Sequence, residues 1–231
     1  MLLYSKTLYA IYIYSGDFFI FLLFVLGLYS LINIKSFKSD FKWFMVLILG
    51  YLFFEVLFLV YKYFGITETH FINHPYSFFA LIFASIFYSK ILNSNQINIL
   101  IIFTCLIFIG FDCYQIFTSK GPLTSPSIFP VMNFLFILLS SLVYKKIVKS
   151  PRIKNTKNES LFWINLGFFI TNIFQLILVP LFRQVIPISD DIAFIVGTLK
   201  NLADPITYTL WAIGVYKLKT QPFRPIASLW P

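Results

Sequence analysis

Three ionisable residues, Glu55, Lys200 and Asp204, stand inside stretches that are otherwise almost wholly apolar. An unpaired charge in such surroundings costs about 3 kcal/mol or more, so each needs an opposite charge or a polar cavity. Groups retained there at that cost are candidates for binding ligands or protons. Lys200 and Asp204 are four residues apart, which places them on one helix face within reach of each other. In the preceding apolar run, Asn165, Asn172 and Gln175 follow a seven-then-three spacing that lines one helical face and adds hydrogen-bonding amides. A cation, carboxylates and amides so arranged suit a small polar ligand or a protonation event. Glu55, Asn172, Gln175, Lys200 and Asp204 are therefore the expected ligand-binding set, with a structural ion pair and interhelical packing as the alternative. Pro205 follows Asp204, removes a backbone hydrogen bond from its helix, and is the expected hinge.

Bond-breaking chemistry finds little support. The chain has no nucleotide-cradling glycine loop, no Cys-x-x-Cys pair and no serine in a Gly-x-Ser-x-Gly turn, so no catalytic residue is assigned. Glu68, His70 and His74 offer the one metal-like cluster, but Pro75 follows directly and the segment reads as a solvated outer loop. No metal or cofactor is expected. A lysine in a last helix invites comparison with retinal proteins, yet the third apolar run, from Ser77 to Leu92, holds no acid. Cys105 and Cys113 lie eight residues apart in one apolar run, about 12 Å along a helix and beyond disulfide reach.

These residues must be carried by elements suited to lipid. The chain has 231 residues, 59% hydrophobic and 12% charged, with a mean hydropathy of +0.83. A soluble domain of this size leaves about a quarter to a third of its chain surface in water, too much for such a composition. Apolar runs occur at 18–34, 43–61, 77–92, 97–117, 127–144, 161–182 and 192–216, which predicts an all-α bundle of seven transmembrane helices in a single membrane domain. The third run is the shortest and could begin earlier, near His74-Pro75. The residues before the first run carry one lysine and no cleavage pattern, so a retained helix is expected there.

Charge distribution gives an independent reading of topology. With the N-terminus outside and the C-terminus in the cytoplasm, thirteen Lys and Arg fall in inner segments and four in outer ones. Six of the inner ones crowd into the segment from Lys145 to Glu159. The net charge of +9 is therefore ascribed to topogenic and lipid-facing lysines, with no nucleic-acid partner. Lys145, Lys146 and Lys149 are the candidate docking residues for a cytoplasmic partner. No pair of matching broken helices marks a transporter-like repeat.

Two resemblances follow. The segment from Asp204 through Pro205 to Tyr208 is similar to the seventh-helix signature of rhodopsin-like G-protein-coupled receptors, but that family's other helix signatures and its cysteine pair are absent. The residues from Glu159 to Asn165, and from Asn201 through Leu210 to Gly214, resemble small seven-helix membrane proteins of Bacteroidota. That likeness, mainly over the last third of the chain, implies a sensory subunit of the cytoplasmic membrane, associated with a signalling partner such as a histidine kinase. The expected function is thus receptor-like, with an outward-opening polar pocket for an unknown small ligand. A small-solute or proton-coupled transporter and a lipid-modifying enzyme are the alternatives.

Overall fold

A computed structural model of the chain describes residues 2–37, 39–65, 70–118, 129–149, 156, 159–185 and 188–220. Among them the secondary structure is entirely helical, in seven α-helices and one 3-10 turn. The α-helices are α1 (Leu2–Asn33), α2 (Ser39–Tyr63), α3 (His70–Leu92), α4 (Asn95–Thr118), α5 (Phe129–Lys149), α6 (Ser160–Val185) and α7 (Asp190–Thr220). Five of these, α2 to α6, are long and apolar enough to cross a membrane. This is the pattern of a multi-pass membrane protein, in which the helix satisfies every backbone group that lipid cannot. In α7 the apolar sequence is interrupted by Lys200, Asn201 and Asp204, and in α1 the apolar part is Phe18–Asn33.

The helices overrun the apolar runs, and at some ends the extension carries charges that suit the helix dipole. Ser39 and Asp40 open α2, and Asp190 and Asp191 open α7, placing negative charge where the helix dipole is positive. Lys146 and Lys149 close α5, and Lys217 and Lys219 close α7, with the opposite sign at the opposite pole. After α2 the chain turns at Gly65, whose φ of +72° is the left-handed conformation natural to glycine. Its N–H donates to the Lys62 carbonyl at 3.0 Å. Asn93 plays that part after α3, at φ +45°, with its N–H bonded to the Ser89 carbonyl.

The chain forms two compact units. The first holds the beginning of α1 with α5, α6 and α7; the second holds the end of α1 with α2, α3 and α4. In the first unit α6 and α7 are antiparallel and the most closely apposed pair. Tyr144 of α5 meets Phe162 of α6, and Phe136 meets Phe168, so α5 and α6 are antiparallel too. Helix α1 runs parallel to α7, since Tyr9 meets Phe194 and, further along both, Phe19 meets Tyr208.

In the second unit α2 and α3 form an antiparallel aromatic ladder. Phe44 packs on Phe87, Trp43 on Phe83, Tyr51 on Tyr76, and Tyr61 on Phe71. Gly50 gives way to the Phe79 ring, which occupies the space a Cβ would fill. Helices α3 and α4 form a hairpin through Asn93 and Ser94, and Ser89 Oγ donates across it to Asn98 Oδ1 at 2.7 Å. Much of α4 turns large apolar side chains outward, including Ile99, Ile102, Phe103, Leu106, Tyr114 and Phe117, as a lipid-facing helix requires.

Candidate functional site

The closeness of α6 and α7 is set by two glycines. A Cβ on Gly214 would lie 3.0 Å from the Ser160 carbonyl oxygen and 2.5 Å from Ile164 Cγ1. One on Gly167 would strike the Trp211 indole at 2.5 Å. With no side chain between them the backbones meet, which is how helices gain van der Waals contact when lipid offers no hydrophobic drive. Trp211 then reaches across and donates its Nε1–H to the Ile164 carbonyl at 3.1 Å.

One and two turns along the same seam, polar groups replace the packed aromatics. Thr207 Oγ1 donates to the Ala203 carbonyl at 3.0 Å, so its single hydrogen is committed. The Thr171 hydroxyl, bonded to Thr207, must therefore be the donor of that contact. In the antiparallel register that sets Thr171 opposite Thr207, Gln175 comes level with Ala203 and Asp204, and Lys200 lies one turn further. Lys200 and Asp204 are half-buried and interact electrostatically. Pro205, buried within α7, lacks the N–H that would bond the Asn201 carbonyl. Asn172 is buried, its Nδ2 donating to the Phe168 carbonyl at 2.6 Å, and Asn165 donates to the Ser140 carbonyl of α5 at 2.8 Å.

Four of the five expected ligand residues, Asn172, Gln175, Lys200 and Asp204, thus belong to one helix pair. Glu55 is half-buried on α2, in the other unit. Along about two helical turns the α6–α7 pair carries an ammonium, a carboxylate, two primary amides and two hydroxyls. That set can match a small solute carrying both charge signs.

The second unit holds a polar pair that the spacing of residues did not disclose. The sequence reading placed His74 in a solvated outer loop; α3 instead begins at His70 and buries His74 to 3% exposure. Its Nδ1 lies 2.8 Å and 2.9 Å from the two carboxylate oxygens of Asp112 on α4, which has no exposure at all. Pro75, the sixth residue of α3, lies inside the helix and removes the N–H that would bond the Phe71 carbonyl. The available signal was Asp112 itself, a carboxylate in an apolar run that had to find a partner, with His74 in the neighbouring segment at the corresponding end.

The proposed docking lysines lie at the end of α5, with Lys145 and Lys149 exposed and Lys146 half-buried. Because α5 and α7 are both antiparallel to α6, Lys217 and Lys219 come to that same end of the first unit. Cys105 and Cys113 are free thiols, with Cys105 Sγ 3.7 Å from Ser85 Oγ. Among the described residues no three His, Cys, Asp or Glu side chains are grouped to hold a metal ion; Glu68 and the His70 side chain lie outside them. Compared with known protein families, curated proteins and solved structures, the chain matches none.

Proposed function

We propose that the protein is a receptor-like subunit of the cytoplasmic membrane that passes a signal to a separate partner. In this reading it crosses the bilayer seven times, with the N-terminus outside and the C-terminus in the cytoplasm. The observation that carries it is the α6–α7 seam, where Lys200 and Asp204 stand one turn apart beside Pro205, next to the amides and hydroxyls of the same helix pair. A ligand that engages the ammonium and the carboxylate separately weakens their attraction, and a proline-interrupted helix is where a change in that attraction becomes a change in bend. The parallel arrangement of α1 and α7 suits an odd number of passes, and the bias of lysines toward the inner segments suits this orientation. The lysines gathered at the ends of α5 and α7 would offer a signalling partner such as a histidine kinase a basic surface, while also meeting anionic lipid.

The test is made on the full chain in mild detergent and in proteoliposomes. A signalling kinase should co-purify, its association should fall at least tenfold when Lys145, Lys146 and Lys149 are replaced by glutamate, and its output should change in Asp204→Asn. Solute flux in proteoliposomes that is abolished by Asp204→Ala would overturn the reading in favour of a transporter. Lipid turnover by the purified chain alone would overturn it in favour of an enzyme.

A further inference from the structure

We propose that His74 and Asp112 form a proton-binding site in the second unit, separate from the α6–α7 seam and independent of whether that seam binds a ligand. The pair is buried, with His74 at 3% exposure and Asp112 at none. Ile72 and Phe108 are each 1% exposed, and one turn toward the Asn93 connection the rings of Phe78 and Phe108 meet edge to face at 5.6 Å. In this setting net charge decides which protonation states are tolerable. A neutral imidazole beside a carboxylate has net charge −1, and one added proton brings it to zero.

That proton has two resting places along a single hydrogen bond. On the imidazole it makes an ion pair, with Nδ1–H donating to the carboxylate. On Asp112 it makes a carboxylic acid whose O–H donates to Nδ1 of the neutral ring, and both forms fit the 2.8 Å separation. Either way one proton enters or leaves, and no other atom need be exchanged. One proton therefore takes the pair's own charge from −1 to zero.

Among the described residues, the titratable groups at this end are these. On α2, the register that pairs Tyr51 with Tyr76 brings Glu55 to the level of His74, and Lys62 lies at the exposed end of that helix. On α3 the other at this end is Tyr76, and on α4 they are Cys113 and Tyr114. Loss of the proton leaves a negative pair between α3 and α4, next to a turn where Pro75 has already removed one backbone bond. Proton release then favours separation of the two helices at that end.

The chain has two histidines, so His70→Gln leaves His74 as the single imidazole. The full chain carrying that change, labelled with 15N-histidine and 13C-aspartate in lipid bicelles, is titrated by NMR while circular dichroism follows helix content. We expect the His74 ring nitrogens and the Asp112 carboxyl carbon to move together over one pH range. Asp112→Asn should change the pH range over which the ring signals move. Ring signals that stay constant wherever the protein remains folded would overturn the proposal, as would a titration unchanged by Asp112→Asn. Should that variant fail to fold, a carboxyl carbon that does not follow the ring in the His70→Gln protein overturns it equally.

Discussion

The two units solve the same packing problem with opposite materials. In the first, α6 and α7 approach by omitting side chains at Gly167 and Gly214, and the space gained lets Trp211 and Thr207 make interhelical polar contacts. In the second, α2, α3 and α4 fill the space between them with rings and secure one end by a buried ion-capable pair. Backbone contact leaves nothing that can move aside, whereas rings can rotate. Steric damage should therefore be worse at Gly214, against backbone, than at Gly27, against one flexible side chain, and loss of a single polar partner worse in the second unit.

The largest effect is expected where that contrast is electrostatic. Asp112→Ala strands His74 in an apolar interior, and breaking a buried pair of this kind typically costs about 3–5 kcal/mol, measured by denaturant unfolding in bicelles. Replacing both partners, His74→Phe with Asp112→Leu, should recover most of that loss. If the single change costs under about 1 kcal/mol, the pair is not what secures α3 to α4.

Next comes the steric contrast. Gly214→Ala should cost about 3 kcal/mol, because the new methyl meets the Ser160 carbonyl and the Ile164 backbone nitrogen. Gly27→Ala in the second unit meets only the Leu52 side chain and should cost about 1 kcal/mol or less. Gly110→Ala meets nothing within 4 Å and should stabilise slightly, by at most about 1 kcal/mol from helix propensity. Equal costs at Gly214 and Gly27 would erase the distinction between the units.

Smaller effects probe the polar seam. Trp211→Phe retains the ring and loses the bond to Ile164, for about 1 kcal/mol. Thr171→Val removes one hydroxyl contact and should cost about 0.6 kcal/mol, the usual value of such bonds between membrane helices.

Helical class and approximate helix positions were legible from the sequence because a 20-residue apolar run has few alternatives in lipid. Lys200 and Asp204 were likewise visible, since charges four apart on a helix share a face in any fold. What escaped was contact between helices. His74 looked solvated because Pro75 and nearby polar residues resemble a loop, and only the packing of α3 on α4 reveals its burial. Glycines gave no warning either: Gly110 and Gly214 read alike in sequence, and one faces open space while the other lies against a carbonyl.

The two-residue link at Asn93 and Ser94 also bears on biogenesis. His74 and Asp112 are separated by 38 residues, so at about 5–20 residues per second the acid emerges from the ribosome some 2–8 s after the base. During that interval α3 carries His74 without the carboxylate, and α4 completes the pair when it follows.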